Sequence, residues 1–373
     1  MRVTITGGGT GGHVYPALAI ARGLQQARPG VELLYIGTAR GLEADVVPRA
    51  GLPLATITVT GLERRQVWKN VPALARMAQG LGEAWLLLRR FRPDLVVGTG
   101  GYVSGPVCLA AVLLGIPVVL HEQNAFPGLT NRLLASRAKA ICLTFPEAAS
   151  RFPRRARLLT TGLPVRPEIL QADRQASRQQ LGLKEDQLLV VVTGGSQGAR
   201  SINQAMLPTL KARAGDGRVR ILLVTGRQGF DAYLQQVREM GIDVDKYGNI
   251  TIKPYIYDME YALAAADLVI GRAGASFLAE ILARGLPSIL IPYPYAAANH
   301  QEYNARAVAR KGAAVLIPDR ELKGGRLHQV LNELLADRGR LQAMARAAAG
   351  MGRPHALEDI LQVLFKVLAG PAL

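Results

Sequence analysis

Residues 271–305 read GRAGASFLAEILARGLPSILIPYPYAAANHQEYNA, and the fold follows from how this stretch begins. An apolar run, Asp267-Leu268-Val269-Ile270, stops at Gly271-Arg272-Ala273-Gly274, as a strand ending in a tight turn would. Ser276 is then placed to cap a helix with apolar residues at Phe277, Leu278, Ile281 and Leu282, closed by Gly285 and Pro287. A helix start that faces the carboxyl end of a strand offers free N–H groups and roughly half a positive charge, which suits a diphosphate. Glu280, one turn in, would repel that anion and instead suits a pair of sugar hydroxyls. A second strand, Ser288 to Pro292, leads to Asn299-His300-Gln301 and a further helix.

The same alternation of strand and helix runs through the chain. Strands are expected at Val3–Thr6, Val31–Ile36, Leu95–Gly98, Pro117–His121 and Ala140–Thr144, with helical periodicity in Ala17–Gln26 and Leu74–Arg90. It restarts at Leu188–Thr193, Val219–Thr225, Ile250–Ile252, Leu268–Ile270, Ser288–Ile291 and Val315–Ile317. This is an α/β protein with two doubly wound parallel sheets. Their linker is expected in the polar stretch Thr161–Lys184, giving domains of residues 1–163 and 164–353. A final helix, Leu357–Leu368, follows a Gly350/Gly352/Pro354 break and is expected to leave the second domain.

A length of 373 residues fits two domains, and 49% hydrophobic against 20% charged residues excludes a disordered chain. The first residues enter a strand pattern at once, without a charged-then-apolar leader, and the two cysteines, Cys108 and Cys142, lie in apolar patterns that suit buried thiols. Both features point to a cytosolic setting. The longest apolar run, Val107–Leu120, is too short to span a bilayer and is broken by Gly115 and Pro117. A net charge of +17 and a pI near 10.3 call for an anionic partner. Nucleic acid is disfavoured as that partner: RNP aromatics, helix-turn-helix spacing and zinc cysteines are missing, and only 5% of residues are aromatic.

Three glycine-rich loops end strands: residues 7–13 (GGGTGGH), 98–102 (GTGGY) and 194–198 (GGSQG). Gly7, Gly9 and Gly12 form a GxGxxG, yet the next strand ends in Gly37-Thr38 without the acid that a dinucleotide's ribose requires, and no loop continues into GK[ST]. Glycines that merely let a strand turn into a helix would explain one such loop. Three of them favour a place where backbone must approach ligands closely.

The motifs GGGTGGHVYPALA, GTGGYVSGP, HEQNAFPGLTNR, GGSQGAR, RAGASFLAEILARGLPSILIPYP and NHQEYNA, in this order across nearly the whole chain, resemble the MurG family of bacterial glycosyltransferases. The resemblance implies a GT-B fold: two Rossmann-like domains facing a cleft, with residues 354–373 returning to the first. It implies transfer of N-acetylglucosamine from UDP-N-acetylglucosamine, with inversion, to the 4-hydroxyl of undecaprenyl-diphosphate-linked N-acetylmuramoyl pentapeptide. By the same resemblance Thr10, Gly11 and Gly12 lie near the donor's diphosphate and sugar, and Asn124 meets the sugar hydroxyls. Arg166 and Ser196 are donor contacts, Ile256 meets uracil through its backbone, and Ala275, Ser276, Phe277, Leu278, Ala279 and Glu280 hold diphosphate and ribose. Gln301 reaches the sugar.

His13, an imidazole of near-neutral pKa on the acceptor domain, is the expected general base, with Glu122 as the alternative. Each has a plainer reading: His13 as a helix-start packing residue, His121 and Glu122 as loop-backbone partners, Arg166 as half of an ion pair. Asp243-Val244-Asp245 has the look of a metal motif but lies in a polar stretch away from any strand end, so solvated loop is expected. A helix dipole and an arginine can stabilise a leaving diphosphate, and neither metal nor cofactor is expected. The closest rival is a UDP-N-acetylglucosamine 2-epimerase, which shares fold and donor but needs no acceptor.

A polyprenyl-tethered acceptor would bring the first domain to the cytoplasmic face of the cell membrane. Residues 61–92 carry Arg64, Arg65, Lys69, Arg76, Arg89, Arg90 and Arg92 against Glu63 and Glu83. Leu74, Met77, Leu81, Trp85 and Leu88 form one helical stripe that could equally face the core, which leaves Trp68, Val71, Leu86 and Leu87 for an apolar patch on an anionic surface.

Overall fold

The computed structural model describes residues 1–61, 71–195 and 197–370. Ser196 and the segment that contains Glu63, Arg64, Arg65, Trp68 and Lys69 lie outside them. The chain divides into two compact units, Met1–Pro164 with His355–Leu373, and Val165–Pro354.

The first unit runs β1 (Arg2–Thr6), α1 (Gly11–Ala27), β2 (Glu32–Gly37), α2 (Leu42–Arg49), β3 (Leu54–Thr56), α3 (Val71–Phe91), β4 (Leu95–Gly98), α4 (Gly101–Leu113), β5 (Val118–Glu122), α5 (Leu129–Leu134), β6 (Ala140–Leu143) and β7 (Leu158–Thr160). Its strands form one parallel sheet in the order β3-β2-β1-β4-β5-β6-β7. Chain order reverses between β1 and β4. In open parallel sheets ligands gather beyond the carboxyl ends of the strands at such a switch point. The loops at 7–13 and 98–102 flank it. The edge strands β3 (LAT) and β7 (LLT) escaped the sequence reading because three residues are too few to show a period.

The second unit contains α6 (Pro167–Gln171), α7 (Arg174–Gln180), β8 (Leu188–Thr193), α8 (Arg200–Arg213), β9 (Val219–Val224), α9 (Phe230–Glu239), α10 (Val244–Tyr247), β10 (Ile250–Lys253), α11 (Met259–Ala265), β11 (Leu268–Gly271), α12 (Ala275–Ala283), β12 (Ser288–Leu290), α13 (His300–Arg310), β13 (Ala314–Leu316), α14 (Arg326–Ala336) and α15 (Arg338–Met351). Its parallel sheet is ordered β10-β9-β8-β11-β12-β13, with the switch between β8 and β11. The stretch that starts at Gly271 therefore begins at a switch point as well. The last helix, α16 (Ala356–Ala369), rejoins the first unit: Ile360 and Leu364 are buried in one cluster with Val14, Ala21 and Leu24 of α1.

Three expectations change. Thr161–Lys184 is a linker only near its start: Pro167 opens α6, whose Leu170 O accepts from Arg284 Nη1 at 3.3 Å, Asp173 caps α7 by accepting from Ala176 N at 2.7 Å, and Arg174 of α7 pairs with Asp267 at 2.6 Å, so both helices belong to the second unit. Asp243 is exposed, but it caps a one-turn helix, α10, rather than lying in open loop; its Oδ1 accepts from Lys246 N at 3.1 Å. In α3 the stripe splits: Leu88 is fully buried and Leu81, Trp85 and Leu87 pack on the core, whereas Leu74, Met77 and Leu86 are exposed, as are Arg76, Arg89 and Arg90. Leu87 thus leaves the apolar patch, and Leu74 and Met77 join it. Among the described residues no helix is long and apolar enough to cross a membrane.

Candidate functional site

On the first unit, two glycine loops are brought into contact by backbone that only glycine allows. Gly101 has φ +82°, and a Cβ there would stand 2.2 Å from Gly8 O. This contact serves loop against loop, a structural use of glycine beyond any approach to a ligand. Beneath the loops lies Glu43, a fully buried carboxylate at the start of α2. It accepts from Thr38 Oγ1 at 2.6 Å, from Thr38 N at 3.2 Å and from Gly9 N at 3.2 Å, so it ties the first loop to the end of β2. Sequence reading passed over Glu43 because LEADVV looks like any amphipathic first turn.

Helix α1 starts at Gly11 after Thr10, with no side-chain cap and no acidic residue in its first turn. Thr10, Gly11 and Gly12 border this helix start, whose dipole favours an anion. His13, two residues further, is half-buried and firmly held. Its Nδ1 lies 3.0 Å from Thr99 O and 3.1 Å from Gln123 Oε1, and its carbonyl accepts from Thr99 Oγ1 at 2.8 Å. Two acceptors at Nδ1 place the ring proton there, which makes Nε2 the basic nitrogen of the neutral imidazole.

The HEQN segment at the end of β5 works mostly inward. His121 is buried and held neutral: burial pushes its pKa down to about 4, against the pull of its hydrogen bond to Gly162 O, with the nearby His13 charge acting in the same direction as burial. Glu122 is 2% exposed and both carboxylate oxygens are engaged. Asn124 N donates to Oε1 at 3.0 Å, while Gly128 N at 3.0 Å and Asn131 Nδ2 at 2.8 Å donate to Oε2. Burial raises its pKa and the donated hydrogen bonds oppose that rise. Both oxygens of Glu122, the alternative base, are thus turned into its own loop. Asn124 is anchored on it and remains half-buried.

On the second unit, α12 begins at Ala275, and its N-cap is Gly274 in extended conformation with no side-chain cap. Ser276 is therefore not the cap: the turn after β11 is one residue pair shorter than the sequence suggested, and Ser276 falls within the first helical turn. Leu278 belongs to the same turn. It is fully buried and its N–H is spent on Gly274 O at 2.9 Å, leaving the N–H groups of Ala275, Ser276 and Phe277 at the helix start. Ala279 and Glu280 follow in the second turn. Glu280 forms an ion pair with Arg166, Oε1 to Nε 2.8 Å, and its side chain is 13% exposed against 52% for the arginine. The plain reading of Arg166 as an ion-pair partner is thus realised, with another expected donor contact.

Ile256 lies in the irregular segment after β10 and is buried. Its neighbours Tyr255 and Tyr257, with Gln197, Arg227 and Gln228, line a cavity of about 380 Å³. Arg227 donates to Tyr257 OH at 2.6 Å and stands 5.2 Å from the Tyr255 ring centre. These lining residues were missed; the signal was the pair of tyrosines flanking Ile256. Gln301 in α13 accepts from Tyr293 N through Oε1 at 3.0 Å, which turns its amino group outward from that bond. Among the described residues no group of three or more His, Cys, Asp or Glu is arranged to hold a metal ion.

Comparison with known proteins follows the same two-part division. The glycosyltransferase family 28 N-terminal domain matches residues 3–143, and the glycosyltransferase family 28 C-terminal domain matches residues 189–360. The UDP-N-acetylglucosamine–N-acetylmuramyl-(pentapeptide) pyrophosphoryl-undecaprenol N-acetylglucosamine transferase of Moorella thermoacetica is 76% identical over 368 residues, covering 99% of each chain. The protein of the same name from Desulforamulus reducens is 52% identical, again over 99% of each. The crystal structure of Acinetobacter baumannii MurG superposes with a TM-score of 0.81 at 33% identity, covering 98% of this chain and 99% of that one. The two parallel α/β sheets are those of a GT-B-like fold.

Proposed function

The chain belongs to glycosyltransferase family 28, and from that premise we propose that it transfers N-acetylglucosamine from UDP-N-acetylglucosamine to an undecaprenyl-diphosphate-linked N-acetylmuramoyl pentapeptide in peptidoglycan synthesis. The observation that carries this reading is the full-length identity of 76% to a relative named for that reaction. It also favours the transferase over the epimerase.

The second unit, on this reading, is the donor domain. Uracil meets the backbone of Ile256 beside the Tyr255–Arg227 wall, the N–H groups of Ala275, Ser276 and Phe277 receive the diphosphate, and Glu280 accepts from the ribose hydroxyls. Arg166 holds Glu280 in place through the 2.8 Å ion pair. Ser196 and Gln301 contact phosphate and sugar. Charge building on the departing diphosphate is met by the start of α12, where fixed donors lower the barrier without reorganising.

The first unit takes the acceptor. Neutral His13, protonated at Nδ1, uses Nε2 to take the proton of the 4-hydroxyl as that oxygen attacks the sugar's anomeric carbon. The C–O bond to UDP breaks as the new one forms, so the α linkage becomes β. Thr10, Gly11, Gly12 and Asn124, beyond the carboxyl ends of β1 and β5, complete the sugar and diphosphate contacts. Leu74, Met77 and Leu86 with Arg76, Arg89 and Arg90 on α3 support attachment of this unit to an anionic membrane surface, where the acceptor's tail resides.

The test is to supply radiolabelled UDP-N-acetylglucosamine with and without a short-chain lipid-linked muramoyl acceptor. Label entering lipid and UDP released only with acceptor are expected. Consumption of donor at the same rate without acceptor would replace the proposal by the epimerase.

A further inference from the structure

The first unit contains a chain of hydrogen bonds that begins at a buried carbonyl and ends at His13. Its direction can be worked out from the chemistry of each partner. The terminal amide of Gln123 has one end 2.8 Å from Thr99 O and 3.1 Å from His121 O. Carbonyl oxygens only accept, so this end must be the amino group, Nε2. The same amino group lies 3.0 Å from His121 Nδ1, which must therefore accept, and the His121 proton resides on Nε2, donated to Gly162 O at 2.9 Å. The amide's other end, Oε1, then faces His13 Nδ1 at 3.1 Å and accepts its proton. The two histidines are held in opposite neutral tautomers, with Gln123 between them.

We propose that Gln123 and His121 are positioning residues for the transfer reaction: by fixing the His13 tautomer with its proton on Nδ1, they present Nε2 as the base. The proposal rests on the reading of His13 as general base. His121 suits the task because a buried, neutral imidazole cannot donate from Nδ1 once Nε2 is committed to Gly162 O, so the amide of Gln123 has one orientation only. Among the residues that face His13 from the packed elements are Thr99 and Gly100 after β4 and Gln123 and His121 at the end of β5. A histidine in the wrong tautomer offers an N–H where a lone pair is required.

Nitrogen-15 NMR of the histidine side chains tests this in the intact protein. The five histidines are few enough to assign by single substitution. In the wild type His13 is expected to be protonated at Nδ1 and His121 at Nε2. The same tautomer in both rings, or His13 carrying its proton on Nε2, overturns the proposal whatever any variant does. Gln123→Met keeps the side-chain length without the amide. It is expected to populate both His13 tautomers and to lower kcat by about tenfold to a hundredfold, with KM for UDP-N-acetylglucosamine within twofold of wild type. Gln123→Glu sets a negative charge beside Nδ1 and is expected to move the acidic limb of the kcat profile to higher pH. An unchanged His13 tautomer and kcat in folded Gln123→Met overturns the positioning role. His13→Ala separates the two claims: full activity in that variant removes the base and leaves the tautomer pattern standing, whereas an inactive His13→Ala with the wrong tautomers in the wild type keeps the base and removes the relay.

Discussion

Replacing Glu280 by alanine should cost the protein nucleotide affinity and little else. The carboxylate lies in the second turn of α12, 13% exposed, and pairs with Arg166 at 2.8 Å. Because that arginine is half exposed, water screens the pair, and its share of folding stability is about 0 to 1 kcal/mol. Alanine is also the best helix former, so propensity does not oppose the change. For a chain with domains of this size the loss amounts to a few degrees in Tm at most, on the order of 2 to 4 °C per kcal/mol. A carboxylate that accepts from two ribose hydroxyls contributes more, about 1.5 to 3 kcal/mol, which is roughly a tenfold to 150-fold rise in the Kd of UDP. Calorimetric titration with UDP, beside a thermal melt, reads both quantities. The ion pair adds a second requirement: if Arg166 acts by holding Glu280, then Arg166→Ala and Glu280→Ala together should weaken UDP binding by less than the sum of the two. An unchanged Kd in folded Glu280→Ala would refute the ribose contact, and strict additivity would refute the holding role of Arg166.

Three further outcomes follow from the structure. His13→Ala should lower kcat by about a hundredfold to ten-thousandfold while UDP affinity stays at the wild-type value; retention of more than about a tenth of kcat would end the assignment. His121 is held near pKa 4 in the folded chain against an ordinary 6.5, so only the unfolded chain takes up its proton between those values, and stability is full above 6.5 and lost as pH falls toward 4. At about 1.4 kcal/mol per pH unit the loss reaches about 3 kcal/mol, and denaturant melts of wild type and His121→Asn between pH 7 and 4 should show the wild type's extra slope. Changing Arg64, Arg65 and Lys69 together to Glu should abolish salt-sensitive sedimentation with anionic vesicles, and equal sedimentation of both proteins would place the docking surface elsewhere.

Strand and helix alternation was readable because parallel strands buried on both faces leave unbroken apolar runs such as Leu188–Thr193, and glycine loops mark where they end. What stayed hidden was short or cooperative. Neither β3 nor β7 has enough residues for a pattern, and the cap of α12 depends on the extended backbone of Gly274, which GRAGAS does not distinguish from a cap at Ser276. In HEQN the residue types signalled a polar site at a strand end, yet His121, Glu122 and Gln123 are all buried. Gln123, which no motif argument singled out, connects His121 to His13. Burial decides between ligand contact and internal support, and adjacency in sequence carries no information on burial.

The central claim, direct displacement at the donor's anomeric carbon by an acceptor hydroxyl deprotonated at His13, is tested most directly by the stereochemistry of the product. Proton and carbon NMR of the disaccharide released from the lipid product would give the anomeric configuration and the linkage position in one sample. The account predicts a single β linkage from N-acetylglucosamine to the muramoyl 4-hydroxyl. An α linkage, or free sugar epimerised at its second carbon, would contradict it.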